Sequence, residues 1–557
     1  MLKQIHVPHN YYYREMYLPQ VTSGPSAAAW SPDGGELVYA MQGTLWRQKL
    51  GAAEAVQLTD GPGYDHQPDW SPDGRFIVYT SYRNDALELR VLELATGESR
   101  PLVSDSAVHL DPRWSPDGTR VAFVSTAHER RWHVYVLPVQ DGRAAGAPVR
   151  VTADTNSGLP RYYYSVWDHY LSPTWSPDGR ELLVVSNRGQ IWGSGGIWRL
   201  DASGGPMRSI REEETTWKAR PDWARDGRRV VYSSYLGRQR NNLWLTTADG
   251  GAPFQLTYCE CDHTAPRWSP DGRQVAFISN RSGNVALQVV TVPGGEIRTV
   301  AATTRRYRNP TGRLRLVIAD SAGRPGTARI SVTGPDGRGW APDDAWRHAD
   351  EAFVRGERRY EATYFHASGA TELALPAGEY VVELTKGVEF RRVVRRVRIA
   401  AGASRVERLV LARLANLPAR GWWSGDLHVH MNYGGHYRND PARLRFQAEA
   451  EDVHVVENLI VNKEQRIPDV DRFLGRPDPV STGRTLIAHD EEYHTSFWGH
   501  TGHLGLTRNL ILPNYAGYAG TAAASLAPDN ASVAALARAQ GGISGYVHPF
   551  DLPIDPS

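Results

Sequence analysis

Apolar and polar residues alternate along six short segments in the first half of the chain. The segments are ELVYAM, RFIVYTS, TRVAFVS, ELLVVS, RRVVYSS and RQVAFIS. Because the side chains of a β-strand point alternately to its two faces, this period of two predicts half-buried strands. Further strand-like segments follow, such as TLWRQKL, NLWLTT and VQLTD. The pattern therefore predicts six units of four strands each.

A pentapeptide, Trp-Ser-Pro-Asp-Gly, marks the repeat. It begins at Trp30, Trp70, Trp114, Trp175 and Trp268, and a divergent copy, Trp-Ala-Arg-Asp-Gly, begins at Trp223. Proline fixes φ and glycine accepts a positive φ, so the pentapeptide predicts a tight turn. The copies recur every 40–48 residues, apart from one interval of 61 that contains an inserted stretch, LPRYYYSVWDHYL. This period is typical of propeller blades, and we expect each tryptophan to pack between blades.

The repeats resemble those of TolB-like six-bladed β-propellers. The resemblance implies an all-β propeller domain over residues 1–303, and it implies a fold more strongly than a function. It also implies a periplasmic or secreted protein, because TolB-like propellers are usually extracytoplasmic. The N-terminal residues themselves contain no apolar signal segment, and no run of about 18 apolar residues predicts a membrane span.

Strand-like segments continue over residues 304–416, where the pentapeptide no longer occurs. GRLRLVIAD, ARISVTG and ATELALPAGEYVVELTKG alternate apolar and polar positions and contain glycine turns. They predict a small β-sandwich, and the segment resembles carboxypeptidase-regulatory or transthyretin-like modules. In RRVVRRVRI the alternation favours a strand with one solvated basic face over an anion site.

Residues 417–557 alternate between strand-like and helix-like segments. DLHVHM, LIAHDEEY and GGISGYVH suit strands, whereas PARLRFQAEAED and NASVAALARAQ suit helices, the second with Asn530 as its N-cap. Alternation of this kind predicts an α/β domain with functional side chains at the carboxyl ends of parallel strands. The predicted fold class is multidomain: a six-bladed propeller, a small β-sandwich and a partial α/β domain.

Two histidines, His428 and His430, stand on either side of one valine in this last segment. The chain has 19 histidines in 557 residues, so chance alone gives fewer than one such pair. Residues i and i+2 of a strand share a face, so both imidazoles can reach one metal ion. Further ligand-type residues follow later strands, in EEYHTSFWGHTGH and in YVHPF. The ordered set predicts a metal site more strongly than the pair alone.

These motifs together resemble the CehA/McbA family of the PHP metallohydrolase superfamily, whose members have a distorted TIM-like barrel. The resemblance implies a metal-ligand set of His428, His430, Glu492, His500 and His548. Imidazoles and carboxylates suit zinc, manganese or iron, and the family implies one or two such divalent ions. Family members hydrolyse esters, carbamates or phosphoesters, so the expected partner is a small molecule of one of these classes.

Three further residues are candidates for catalysis in this domain. Asp426 shares a strand face with His428, where it can orient the histidine or accept a proton, or can simply be a turn residue. Glu491, like Asp490, is a candidate for proton transfer or a solvent-facing carboxylate. His494 is a candidate substrate contact, and His503 competes with His500 as a ligand.

The domain departs from the family pattern at two points. Asn458 and Leu459 occupy the positions where the superfamily often has an Asp-His pair, so one metal position is lost or built differently, from Asn458 or Glu457. The 417–557 segment is also about half as long as a full barrel of ~200–250 residues, which suggests a chain that ends early.

Composition and the remaining motifs narrow the functions further. The net charge of +2 creates no field for nucleic acid, and two cysteines cannot form a disulfide framework. Phosphate-loop, serine-elbow and His-Glu-x-x-His signatures are absent from the sequence. The motifs of the C-terminal segment favour a metal-dependent hydrolase. The alternative is a propeller that binds a protein or glycan, followed by an inactive C-terminal domain.

Overall fold

The structure is a computed structural model that describes residues 18–83, 86–159, 166–191, 195–215, 219–350, 358–462, 466–495, 497–517 and 523–548. Part of the aromatic insertion (160–165), the N-terminal stretch and the last nine residues lie outside these ranges. The chain divides into two compact units, with the boundary between Asn309 and Pro310. None of the helices in these ranges is long and apolar enough to span a bilayer.

The first unit contains six antiparallel sheets, which correspond to the six sequence repeats. The first three sheets consist of β1 (Pro25–Trp30), β2 (Glu36–Met41), β3 (Thr44–Lys49) and β4 (Glu54–Gln57); β5 (Tyr64–Trp70), β6 (Phe76–Arg83), β7 (Ala86–Glu93) and β8 (Ser99–Val103); and β9 (His109–Trp114), β10 (Arg120–Ser125), β11 (His133–Gln140), β12 (Arg143–Ala144) and β13 (Val149–Arg150). The last three consist of β14 (Tyr170–Trp175), β15 (Glu181–Ser186), β16 (Gly195–Asp201) and β17 (Arg208–Thr215); β18 (Asp222–Trp223), β19 (Arg229–Ser234), β20 (Asn242–Thr247) and β21 (Phe254–Gln255); and β22 (His263–Trp268), β23 (Gln274–Ser282), β24 (Asn284–Thr291) and β25 (Ile297–Thr299).

The six sheets form a closed ring. The first strand of each sheet contacts the first strand of the next, and β22 of the sixth sheet contacts β1 of the first. A further strand, β26 (Thr304–Arg306), pairs in parallel with β4. The first sheet therefore contains strands from both the beginning and the end of the propeller segment. The predicted domain boundary at residue 303 falls just before this strand.

The pentapeptide turn is held by a hydrogen-bond pattern that recurs from blade to blade. In the fourth blade the Ser176 hydroxyl donates to Asp178 at 2.6 Å, and it accepts the backbone N–H of Glu181 at 2.9 Å. The Asp178 carboxylate also accepts the N–H of Arg180, and Gly179 takes a positive φ of 70°. Serine, aspartate and glycine therefore each stabilise the turn itself.

Each repeat tryptophan packs against the preceding blade, as the sequence predicts. Trp30 lies in a core cluster with Ile278 of the sixth blade, and its Nε1 donates to the Arg267 carbonyl at 2.9 Å. Trp268 packs in the same way with Val231 of the fifth blade. The tryptophans thus join neighbouring sheets that cannot bury both of their faces alone.

The second unit begins with two sheets that enclose one apolar core. The strands are β27 (Thr311–Asp320), β28 (Thr327–Thr333), β29 (Gly339–Trp340), β30 (His348–Asp350), β31 (Ala362–Ser368), β32 (Ala370–Pro376), β33 (Gly378–Thr385), β34 (Val393–Ile399) and β35 (Ser404–Leu411). One sheet has the order β32-β27-β35 and the other β30-β31-β28-β33-β34. Leu316 of the first sheet and Ile330 of the second belong to the same core cluster, as expected for a sandwich. Val397 is buried and Arg396 exposed, which fits a strand with a solvated basic face.

A five-stranded mixed sheet follows the sandwich. Its elements are β36 (Gly425–Val429), α1 (Pro441–Glu451), β37 (Val455–Ile460), β38 (Leu486–Tyr493), β39 (Thr501–Leu504), α2 (Asn530–Arg538) and β40 (Ile543–Tyr546), with short 3-10 turns at Pro418–Arg420 and Val470–Arg472. β36, β37 and β38 are parallel, but β39 is antiparallel to both of its neighbours. The expectation of a parallel sheet was wrong for β39, because seven residues separate it from β38 and a parallel crossover needs about a dozen. The sheet is open over the described residues, with β36 and β40 at its edges.

Aspartates cap both helices of this domain. Asp440 accepts the N–H of Arg443 at the start of α1. Asp529 accepts the N–H of Ser532 at the start of α2, so the prediction that Asn530 is the N-cap was wrong by one residue. Asn530 instead donates to the carbonyls of Trp498 and Gly499, which ties the helix to the loop before β39.

We expect Ser176→Ala to destabilise the propeller by about 1–2 kcal/mol, because it removes a buried hydroxyl that both donates and accepts. The divergent repeat already has Ala224 at this position. The measurement is the urea midpoint of the full chain followed by tryptophan fluorescence. Ser203→Ala, in an exposed turn, is the matched control and should cost less than about 0.5 kcal/mol. Equal effects of the two substitutions would contradict the assigned role of the repeat turn.

Candidate metal centre

The strands of the mixed sheet bring five predicted ligands together at one end of the sheet, where the parallel strands have their carboxyl ends. His428 lies near the carboxyl end of β36, and His430 follows that strand. Glu492 lies at the carboxyl end of β38, and His500 immediately precedes β39. Because β39 runs in the opposite direction, its amino end meets the carboxyl ends of its neighbours. His548, two residues after β40, reaches the same edge.

The carboxylate of Glu492 is the centre of this group. It is 2% exposed. His428 Nε2 and His430 Nε2 lie 3.1 and 2.9 Å from its Oε2. His500 Nδ1 and His548 Nε2 lie 3.0 and 3.5 Å from its Oε1. Each carboxylate oxygen therefore faces two imidazole nitrogens.

The backbone of β37 sets the orientation of one imidazole. His430 Nδ1 donates to the carbonyl of Leu459 at 2.8 Å. The proton is thereby held on Nδ1, and Nε2 presents a lone pair to the cluster. An outer hydrogen bond of this kind is the usual way in which proteins fix a histidine ligand.

His494 joins the cluster more closely than its predicted role of substrate contact suggested. Its ring centroid lies 3.8 Å from that of His500, and its Nδ1 lies 3.1 Å from Asn462 Oδ1. Ligand atoms of Glu492, His494 and His500 lie within 4.8 Å of one another, as do those of His428, Glu492 and His548. The i, i+2 spacing of Glu492 and His494 is the sequence signal for this, the same spacing that singled out His428 and His430.

The electrostatics of the cluster favour an ionised Glu492 and a neutral His494. Burial by itself raises the pKa of Glu492, but the four surrounding histidines outweigh it and hold the pKa well below its ordinary value. Burial, with the neighbouring His500, holds the pKa of His494 well below its ordinary value. Neutral imidazole and ionised carboxylate are the forms that bind metals.

The donor set fits a divalent metal ion. Four imidazoles converge on one buried carboxylate, and His428 Nε2 and His430 Nε2 lie only 3.1 Å apart. Nitrogen lone pairs at this distance repel unless a proton or a cation lies between them. An all-nitrogen and oxygen set suits zinc, manganese or iron, and the two groups that share Glu492 suit one ion or two.

Two of the predicted catalytic residues are placed differently. Asp426 is exposed, and its carboxylate accepts the backbone N–H of His428 at 3.2 Å. Glu491 points to the opposite face of β38 from Glu492, since neighbouring strand residues alternate. Its Oε2 accepts the N–H of Ile511 at 2.7 Å in the core. The Glu491 carboxyl group therefore points away from the cluster, and its role in proton transfer stays a prediction.

Other candidate ligands have structural partners instead. His503 is fully buried, with its two ring nitrogens 2.9 Å from Ser544 Oγ and 3.1 Å from Thr501 Oγ1. Asn458, a possible replacement for the missing family pair, accepts the N–H of Met431 and contacts His489. Burial and the nearby Asp490 raise the pKa of Glu457, the other possible replacement, to about 8.

The β-sandwich supports the segment that follows His430. Trp346 stacks on Tyr437 with ring centroids 4.9 Å apart, and the Arg347 N–H donates to the Tyr437 hydroxyl at 2.9 Å. His366 Nε2 lies 2.8 Å from a carboxylate oxygen of Glu451 at the end of α1. These contacts anchor both ends of the connection between β36 and β37.

The propeller contains a separate cavity on its axis, of about 570 Å³, lined by the six repeat tryptophans. Five charged residues lie in its wall: Asp69, Arg113, Asp222, Arg225 and Arg267. Arg267 contacts Asp69 at 2.5 Å and Asp222 at 3.4 Å, and Arg113 lies 3.6 Å from Asp69. Burial raises the pKa of Asp222 to about 8. Three arginines therefore face two aspartates, one of which is favoured in its neutral form, so the wall carries an excess of positive charge. It resembles a binding cavity more than a metal centre.

Residues 66–241 match the sequence profile of the TolB beta propeller domain, PD40. The propeller is thus TolB-like, both in its match to this profile and in its repeated pentapeptide. The chain is 26% identical over 246 residues to the uncharacterized protein Atu1656 of Agrobacterium fabrum. This match covers 42% of this chain and 74% of that protein.

The chain is also similar to the Tol-Pal system protein TolB of Francisella tularensis subsp. holarctica, with 26% identity over 245 residues. That match covers 43% of this chain and 51% of the TolB protein, so the chain spans about half the length of this relative. The crystal structure of TolB from Acinetobacter baumannii aligns with a TM-score of 0.38 at 19% identity, over 52% of this chain and 69% of that one.

Glu491 provides a test of the buried face of β38. Burial raises its pKa from 4.5 to about 8, so folding favours the protonated carboxyl group. The stability it contributes is fully present below pH 4.5 and is lost progressively as the pH rises to about 8. We therefore expect Glu491→Gln to gain stability relative to the parent between pH 5 and 8, by at most about 1.4 kcal/mol per pH unit.

The measurement is urea unfolding of both proteins at pH 5.5, 7 and 8.5. A constant difference between parent and variant at all three values would contradict the buried position of Glu491.

Proposed function

We propose that the chain is a metal-dependent hydrolase of the CehA/McbA type within the PHP superfamily. The observation that carries the proposal is the convergence of four imidazole nitrogens on the buried carboxylate of Glu492, within 3.5 Å. The motif order along the chain supports the same family. The substrate class is an ester, a carbamate or a phosphoester.

The ligand side chains divide into a buried and an accessible side. Glu492 and His500 are buried, with side chains 2% and 7% exposed, whereas the side chains of His428 and His548 are 34% and 37% exposed. Substrate therefore approaches from the side of His428 and His548. When bound, one or two divalent ions would activate a water molecule and polarise the acyl or phosphoryl oxygen of the substrate.

The chain's own residues hold and orient this site. The residues that would hold a metal ion are Glu492, His428, His430, His500 and His548. The Leu459 carbonyl keeps the His430 proton on Nδ1. His494, half-buried against His500, completes the second ligand group. Asp426 shares a strand face with His428 and is exposed, so it is the carboxylate placed to take a proton on the substrate side.

We expect the purified full chain to contain one or two zinc, manganese or iron ions and His428→Ala/His430→Ala to lose them. Removing two of the four imidazoles leaves too few donors for tight binding. Metal content is measured by elemental analysis after dialysis against a weak chelator.

His454→Gln is the matched control for this experiment, because His454 contacts Ser424 and Trp423 outside the cluster. It should retain the metal content of the parent. A parent that binds no metal, or a double variant that keeps it, would show that the cluster is not a metal centre.

We expect Glu492→Gln to reduce kcat/KM by at least about a hundredfold on nitrophenyl ester, carbamate and phosphoester substrates. The amide keeps the volume but removes the charge that bridges the two ligand groups. The same substitution at the neighbouring residue, Glu491→Gln, should leave activity nearly unchanged because Glu491 lies on the other face of β38. Equal losses in both variants would contradict the assignment of Glu492.

A second candidate function is partner binding at the propeller, with an inactive C-terminal domain. The axial cavity lined by six tryptophans favours it, and so does the similarity to TolB proteins of a Tol-Pal system, which suggests a protein partner; a glycan is the other candidate. In this case neither the parent nor His428→Ala/His430→Ala would contain metal. A periplasmic or secreted location is proposed for either function, from the TolB-like propeller.

A further inference from the structure

The sixth blade begins with a short motif, Cys-Glu-Cys-Asp-His, at residues 259–263. These are the chain's two cysteines, and the structure joins Cys259 and Cys261 in a disulfide. Cys261 and His263 are 1% and 2% exposed, whereas Cys259 is partly exposed. The motif belongs to the propeller, and its chemistry is separate from that of the histidine cluster around Glu492.

The three side chains present soft and borderline donors at one point. Their ligand atoms lie within 4.8 Å of one another, and Cys261 Sγ lies 3.4 Å from His263 Nε2. In a tetrahedral zinc site with Zn–S of about 2.3 Å and Zn–N of about 2.05 Å, sulfur and nitrogen ligands are about 3.6 Å apart. The cysteine and the histidine are therefore already at ligand spacing.

A hydrogen-bond chain fixes the tautomer of His263. Its Nδ1 lies 2.8 Å from Thr257 Oγ1. The Thr257 hydroxyl donates to Asn242 Oδ1, and its oxygen accepts the N–H of Leu243, so it serves as an acceptor toward the imidazole. The proton is thus on Nδ1, and the Nε2 lone pair points at the cysteine sulfur, as in an oriented metal ligand.

The loop that carries the cysteines is held on both sides. Asn242 accepts the N–H of Cys259 at 2.9 Å and donates to its carbonyl at 3.1 Å. Asp262 accepts the backbone and side-chain N–H groups of Asn241, each at 2.9 Å. The backbone of the loop is therefore held by hydrogen bonds that are independent of the disulfide.

We propose that Cys259, Cys261 and His263 form, in the reduced protein, a binding site for one thiophilic d10 ion, Zn(II) or Cu(I). Two thiolates and one imidazole are the ligands that both ions prefer. A dithiol supplies two electrons and two protons to the disulfide and becomes a cyclic disulfide itself. The ion then displaces the two thiol protons, so the site exists only in the reduced state.

The test uses the full chain with His428→Ala/His430→Ala, so that the candidate centre of the C-terminal domain does not contribute. The protein is reduced with a dithiol under anaerobic conditions, freed of reductant, and assayed for two thiols per chain. Co(II) is then titrated as a spectroscopic substitute for Zn(II), and Cu(I) is titrated against a colorimetric chelator. We expect one ion per chain and, with Co(II), a thiolate-to-cobalt charge-transfer band that the oxidised protein lacks.

Three variants separate ligation from a general effect on the fold. Cys261→Ser and Cys259→Ser should each lose the band, and the partly exposed position of Cys259 makes the second variant the safer one for folding. Thr257→Val should weaken binding at least about tenfold by releasing the His263 ring, whereas Thr257→Ser should keep the affinity of the parent.

Three results would overturn the proposal: a disulfide that yields no thiols, a reduced protein without the charge-transfer band, or a band that survives both cysteine substitutions. Because the background variant lacks His428 and His430, none of these results bears on the hydrolase proposal.

Discussion

The buried carboxylate of Glu492 is the constraint on which the C-terminal domain depends. An ionised carboxylate in the interior costs several kcal/mol unless charges or hydrogen bonds compensate it. Here the compensation comes from four histidines delivered by β36, the loop before β39 and the residues after β40. The direction of β39 is important for this compensation. Because β39 is antiparallel to its neighbours, His500 at its amino end lies beside the carboxyl ends of the parallel strands. The burial and the charge of Glu492 therefore both depend on the four histidines that surround it.

The propeller depends instead on short-range contacts within each blade and between neighbouring blades. Five of the six blades repeat a turn in which serine, aspartate and glycine are joined by hydrogen bonds, and each tryptophan packs on the preceding blade. Such short-range rules are written into the sequence six times, and they predict the blade number and the packing of the tryptophans. They say little about what the propeller binds, because the residues of the axial cavity come from six separate repeats.

The candidate site shows where prediction from sequence succeeds and where it stops. The i, i+2 spacing of His428 and His430 is a strand property and needs no tertiary information. The same rule would have placed His494 beside Glu492 and turned Glu491 away from it. Glu492, His500 and His548 were named from a family resemblance, since no local pattern connects residues so far apart in the chain. Two expectations were wrong for local reasons. The connection before β39 is too short for a parallel crossover, and Asp529 caps α2 in place of the adjacent Asn530.

The most direct test of the central claim is anomalous diffraction from crystals of the purified full chain, at the absorption edges of zinc, manganese and iron. We expect one or two anomalous peaks within about 2.0–2.2 Å of a Glu492 oxygen and the facing histidine nitrogens. Crystals of protein supplied with all three metals that show no peak at Glu492 would contradict it.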